Sequence, residues 1–132
     1  MHILEILRNR ATAIGGTIVL PESEDTRTIA AAAGLAGQGI AKVILLGKST
    51  QVLELAASLG TDISKCEIID PAQSDLLDKY ADYFYERRKE KGISPEEARA
   101  AMLNPLYFGA MMVKQGVASG MVAGAANTTA DV

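Results

Sequence analysis

Gly16-Thr-Ile-Val-Leu20-Pro-Glu-Ser-Glu-Asp25-Thr-Arg-Thr-Ile-Ala30-Ala-Ala-Ala-Gly-Leu35-Ala-Gly-Gln-Gly-Ile40-Ala-Lys-Val-Ile-Leu45-Leu46 decides the fold. Thr17 to Leu20 is a short apolar run closed by Pro21, and Val43 to Leu46 is another, followed by Gly47. Both have the form of buried strands. Between them, Glu22 to Asp25 is an acidic turn and Thr26 to Gly37 an alanine-rich helix, stopped by Gly37 and Gly39. The strands are apolar throughout rather than alternating, which is how parallel strands covered on both faces read.

The same order continues in both directions. Upstream, Ile3 to Ala13 reads as an amphipathic helix with Ile3, Leu4, Ile6 and Leu7 on its apolar side, stopped by Gly15-Gly16. Downstream, Ser49 or Thr50 can cap a helix from Gln51 to Leu59, which Gly60 ends. Cys66 to Ile69 is a third strand, ended by Asp70-Pro71. Helices alternating with such strands predict a doubly wound α/β fold: a mainly parallel sheet with helices on both faces, joined by right-handed crossovers.

The second half is more helical. Ser74 to about Gly92 carries Leu76, Leu77, Tyr80, Tyr83 and Phe84, then the basic run Arg87-Arg88-Lys89. Ser94-Pro-Glu-Glu97 is a capping box with proline at the first helical position, opening a short helix through Leu103. After Asn104-Pro105, a helix from Leu106 to Gln115 presents Tyr107, Met111 and Met112. Met121 to Ala123 is a fourth strand, and Gly124-Ala-Ala-Asn-Thr-Thr-Ala-Asp-Val132 reads as the entrance to a helix that does not follow. The expectation is therefore a truncated chain.

Composition narrows the function. At 132 residues the chain is one domain or less, with 48% hydrophobic and 22% charged residues and a formal charge of −3. Mixed charges without a basic face argue against nucleic acid as a partner. A charged N-terminus and no apolar stretch near the ~20 residues of a membrane span predict a cytoplasmic protein off the membrane. Cys66 is the only cysteine and His2 the only histidine, so no Cys/His metal cluster or Ser/His/Asp set can be built. Cys66 reads as a core thiol and His2 as a terminal surface residue. The acidic Glu22 to Asp25 reads as helix-capping charge, and no metal is assigned.

Two places could carry chemistry. A strand end passing through small residues to a helix start is where α/β folds bind anions, on free backbone N–H groups and the helix dipole. Gly124, Ala125 and Ala126 would let a ligand approach the backbone there, and Thr128 and Thr129 add hydroxyls. By spacing alone, an ordinary tight turn with threonine caps is the favoured reading. Arg87 and Arg88 close a helix, where they complement its dipole; the functional alternative is a guanidinium reaching a phosphate or carboxylate across a cleft.

Four co-linear stretches shift that balance: Leu20 to Thr28, Phe84 to Gly92, Asn104 to Gly116, and Gly120 to Asp131. In order and spacing they resemble the N-terminal half of the phosphate acetyl/butyryltransferase family, most closely its phosphate acetyltransferases. The resemblance implies an isocitrate/isopropylmalate dehydrogenase type of fold, two α/β domains with the active site between them. Residues 1–132 would form the N-terminal part of the first. It implies reversible acetyl transfer between acetyl-CoA and phosphate, giving acetyl phosphate and coenzyme A, by direct thiolate attack with an aspartate as base. Coenzyme A is then a substrate, no cofactor is bound, and the complete enzyme is a homodimer.

Carried over by residue, Arg88 matches the family's substrate-binding arginine, and Thr128 and Thr129 match the hydroxyl pair of the phosphate-facing loop. Gly124, Ala125 and Asn127 belong to that loop. The base aspartate and the coenzyme A arginine fall in a later region, so no catalytic residue is assigned here and residues 1–132 alone are expected to be inactive. Asn127 stands where histidine is common, Ala123 where serine is, and Ser119 where an acid is; Asn127 bears on acyl preference. Phosphate butyryltransferase, the acyltransferase-like domain of some malic enzymes, and a non-catalytic phosphate- or nucleotide-binding domain are the competing readings.

Overall fold

Successive side chains of a strand point to opposite faces, so a strand apolar at every position needs cover on both. The computed structural model describes Ile3, Glu5, Ile6 and residues 16–124, and it supplies that cover. Four strands, β1 (Thr17–Leu20), β2 (Lys42–Leu46), β3 (Glu67–Ile69) and β4 (Gly120–Met121), form one sheet in the order β3-β2-β1-β4. All three pairings are parallel: Ile18 lies opposite Val43 and Gly120, and Ile44 opposite Glu67.

On one face, Ile18, Leu20, Val43 and Leu45 pack with α1 (Thr26–Gly37) and α2 (Ser49–Ser58), through Ile29, Leu35, Val52 and Ala56. On the other, Val19, Ile44 and Leu46 pack with α3 (Leu76–Arg88), α4 (Pro95–Met102) and α5 (Pro105–Lys114), through Leu77, Tyr80, Met102, Phe108 and Met112. Odd and even positions of one strand thus feed two cores, which makes the sheet doubly wound. The rings of Tyr80 and Phe108 meet at 5.1 Å and 58°, a tilted contact in the middle of the second core.

Most boundaries follow the sequence reading. The Ser94–Glu97 capping box forms in both directions, and Asp25 caps α1 by accepting the Arg27 N–H at 2.8 Å. Some expectations need correction. Neither Ser49 nor Thr50 caps α2: Ser49 is already helical and Lys48 holds the cap position without a side-chain bond. The long helix ends at Arg88, passing through one 3-10 turn (Lys89–Lys91) to Gly92. β3 begins at Glu67 rather than Cys66, and β4 is Gly120–Met121, prolonged by one bond from the Val122 N–H to the Val19 carbonyl. Ile3, Glu5 and Ile6 are helical, and Ile3 packs on the first core; the rest of the expected Ile3 to Ala13 helix lies outside the described residues.

Cys66 is half-buried against the first core, and burial pushes its thiol pKa up, consistent with an inert side chain. Ser119 joins β4 to β1: its hydroxyl accepts the Thr17 N–H at 3.2 Å, and its own N–H donates to the Thr17 carbonyl at 2.7 Å. Among the described residues no helix is long and apolar enough to cross a membrane.

Candidate functional site

β1, β2 and β3 are laid down in one direction across the sheet, whereas β4 lies on the far side of β1. Strand order therefore reverses between β1 and β4, and the carboxyl ends of those two strands flank the place where open α/β sheets bind ligands. The loop after β1 starts at Pro21 and holds Glu22 and Ser23, both buried. Ser23 Oγ donates to the Leu46 carbonyl at 2.6 Å, pinning this loop over the end of β2. The Gly47 N–H donates to the Ile69 carbonyl at 2.9 Å and links that end to β3.

Glu22 turns the other way. Its Oε1 accepts the Gly124 N–H at 2.7 Å, joining the loop after β1 to the loop after β4. Glu22 is only 2% exposed, a costly place for a carboxyl without hydrogen bonds. Gly124 has φ +110, a conformation that residues with side chains rarely adopt. A Cβ there would meet nothing within 4 Å, so glycine supplies a backbone direction rather than space.

Two sequence expectations change at this point. The acidic turn was read as capping charge throughout, but only Asp25 caps; Glu22 is an internal acceptor. Gly124 is expected to let a ligand approach the backbone closely; its own N–H donates to Glu22 and so is not among the free donors there. Ala125, Asn127, Thr128 and Thr129, the rest of the expected loop, lie outside the described residues.

Arg88 stands elsewhere. It ends α3, exposed, with its guanidinium carbon 5.5 Å above the Phe84 ring. Arg87 lies 5.8 Å over Tyr83, and its Nη1 donates to the Tyr83 hydroxyl at 3.4 Å. Phe84 stacks on Tyr107 at 6.2 Å. Together with Lys91 and Lys114, these side chains line a groove of about 630 Å³ between α3 and α5. Four cations and no carboxylate line it, with aromatic rings beneath. Such a surface can receive an anion with a flat or apolar part. No residue of the loops after β1 or β4 lines this groove, so Arg88 and Gly124 are not brought together among the described residues.

Another concavity, of about 480 Å³, lies at the ends of β2 and β3 and has Lys48, Glu24 and Asp70 among its lining residues. Its mixed charges offer no preference for an anion. Among the described residues no three His, Cys, Asp or Glu side chains are grouped to hold a metal.

Comparison with known proteins gives a consistent picture. The sequence profile of the family described as "Phosphate acetyl/butaryl transferase" matches residues 2–132. A phosphate acetyltransferase of Thermoanaerobacterium thermosaccharolyticum is 46% identical over 132 residues, 100% of this chain and 40% of that protein. One from Acetivibrio thermocellus is 47% identical over 131 residues, 99% of this chain and 39% of the relative. A solved phosphotransacetylase from Streptococcus pyogenes superposes with a TM-score of 0.83 at 38% identity, covering 99% of this chain and 40% of that one. The chain thus spans about 40% of the length of the curated relatives it matches.

Proposed function

The chain belongs to the phosphate acetyl/butaryl transferase family, and from that premise we propose that it is the N-terminal part of the first α/β domain of a phosphate acetyltransferase. The observation that carries the proposal is the match of the family profile over residues 2–132, with relatives named phosphate acetyltransferase at 46% and 47% identity. The reaction is reversible acetyl transfer between coenzyme A and phosphate. The thiolate sulfur attacks the carbonyl carbon of acetyl phosphate, a C–S bond forms, the C–O bond to phosphate breaks, and phosphate leaves with the electron pair.

Within this segment the roles are binding roles. Arg88, in a groove without carboxylates, supplies a cationic fork for a substrate anion. Strand order reverses beside the end of β4, where such sheets take a ligand; Gly124, Ala125, Asn127, Thr128 and Thr129 follow β4 in the sequence and receive phosphate. The base, and the arginine that holds coenzyme A, come from a second domain across the cleft. The protein works in the cytoplasm as a homodimer, with acetyl-CoA, coenzyme A, phosphate and acetyl phosphate as its ligands and no bound cofactor.

The test is an assay on the full gene product for coenzyme A-dependent formation of acetyl-CoA from acetyl phosphate, with butyryl phosphate in parallel. Turnover with acetyl phosphate, the better substrate of the two, is expected. Preference for butyryl phosphate would move the assignment within the family. Absence of turnover, with stoichiometric phosphate binding in calorimetry, would replace the enzyme with a binding domain.

A further inference from the structure

Arg87 and Arg88 each follow an aromatic residue of α3 by one helical turn, and each guanidinium lies over that ring, 5.8 Å from Tyr83 and 5.5 Å from Phe84. The two contacts differ in what they leave over. Tyr83 has a hydroxyl, and Arg87 Nη1 spends a donor on it at 3.4 Å. Phe84 has none, so the contact with Arg88 works through the ring face and consumes no N–H. Among the described residues no acceptor engages the Arg88 guanidinium, so its fork is restrained by a ring while its donors are kept for a ligand.

That restraint is only as firm as the Phe84 ring. Phe84 sits at the margin of the second core, partly buried against it. Its ring stacks on Tyr107 of α5, with centroids 6.2 Å apart and planes inclined by 28°. Tyr107 is 49% exposed and belongs to neither core, so the core does not explain an aromatic ring at this position. Its place is the wall of the groove that holds Arg88. We propose that Tyr107 is a positioning residue for Arg88: by stacking on Phe84 it fixes the ring over which the guanidinium lies. The proposal rests on the reading above that Arg88 binds a substrate anion.

An aromatic pair favours its stacked geometry by a factor of about two to ten. Apparent affinity falls with the fraction of molecules whose binding group is in place. Loss of the stack should therefore raise a KM severalfold, less than loss of the guanidinium itself.

On the full gene product, Arg88→Ala identifies which KM, for acetyl phosphate or for coenzyme A, depends on the guanidinium. Tyr107→Ala is expected to raise that same KM about threefold to fivefold, with kcat and the other KM within about 1.5-fold. Tyr107→Leu keeps apolar cover without a ring face and is expected to behave alike; it carries the test should Tyr107→Ala fail to fold. Tyr107→Phe keeps the stack and is expected to restore the wild-type KM. In the Arg88→Ala background, Tyr107→Ala is expected to change KM by less than about 1.5-fold, because nothing is left for the stack to position.

An equal rise in both backgrounds would mean that Tyr107 touches the substrate itself, and would overturn the positioning role. A merely structural tyrosine would lower Tm and active fraction with both KM values unchanged, which overturns it too. If Arg88→Ala raises a KM and neither Tyr107→Ala nor Tyr107→Leu does, the proposal is overturned and the reading of Arg88 stands. If Arg88→Ala leaves both KM values untouched, that reading falls and takes the proposal with it.

Discussion

A Cβ added to Gly109, in the middle of α5, would stand 2.8 Å from the Sδ of Met121 on β4 and 3.3 Å from Leu46 Cδ1. A mid-helix glycine is ordinarily a loss of roughly 0.5–1 kcal/mol against alanine; here it lets the helix lie close on the sheet. Gly109→Val would press a branched side chain against Met121, Leu46 and Val19 together. Overpacking of this kind costs about 1–3 kcal/mol. Denaturant unfolding of Gly109→Val should show a lower midpoint with an unchanged slope. Met121→Ala in the same chain should recover part of the loss, because the two residues touch.

The Tyr80 hydroxyl is buried and accepts or donates no hydrogen bond among the described residues. Burial also pushes its phenol pKa up. Tyr80→Phe deletes a polar atom that has already lost its water and keeps the ring contact with Phe108. The expected effect is neutral to about 1 kcal/mol stabilising. Tyr80→Ala, which empties the centre of the second core, should cost about 3–5 kcal/mol. Thermal unfolding of the pair checks both, and a clear loss in Tyr80→Phe would mean that the hydroxyl has a partner.

The contrast between the two cores and the switch point explains what the sequence revealed. The runs at 17–20 and 43–46 are apolar at every position because each strand feeds two cores, so both strands and their parallel arrangement were readable from hydrophobicity alone. Ser94–Glu97 was readable because a capping box is a local contact between residues three apart. Glu22 was not, because it accepts from Gly124, and nothing local marks a glutamate after Leu20-Pro21 as internal. The nearest signal was its place inside the family-like stretch from Leu20 to Thr28. Arg88 was legible as a candidate beside Arg87, but spacing alone favoured a helix-end charge, and only the resemblance singled it out as a substrate-binding residue. The groove that gives it meaning needs Tyr107 and Lys114 from α5, which spacing along the chain cannot bring together.

Asp25 caps α1 and pairs with Arg27 Nη2 at 2.9 Å. Bonds from the Arg27 side chain first, then from its backbone N–H, hold the Asp25 carboxyl below the usual carboxylate range, against the opposing effect of burial. A pKa lowered on folding contributes stability that is present above the unfolded value, about 3.9, and is lost as pH falls through the folded one. Asp25→Ala should therefore flatten the acid limb of the stability curve below about pH 4 and lower the plateau at neutral pH by the worth of a cap, about 0.5–2 kcal/mol. Asp25→Asn keeps a capping oxygen and should lose the acid limb while retaining most of the plateau. Urea midpoints between acid and neutral pH measure both quantities.

Arg88 and Arg87 are neighbours in sequence with different commitments. Arg87 is engaged with Tyr83 through its ring and its hydroxyl, whereas Arg88 rests over Phe84 and faces a groove whose other charges are all positive. Repulsion from Lys91 and Lys114 favours an arriving anion, and a guanidinium bond to an anionic group is worth about 1.5–3 kcal/mol. Arg88→Ala in the full gene product should lower kcat/KM by about tenfold to a hundredfold, carried mainly by KM. Arg88→Lys keeps the charge and loses the fork, so it should fall between the two. Arg87→Ala should cost less, since the contact it breaks is internal to α3. Added salt should narrow the gap between the wild type and Arg88→Ala, because screening weakens an exposed charge contact. Equal losses for Arg87→Ala and Arg88→Ala, with no salt dependence, would show that this groove does not hold the substrate.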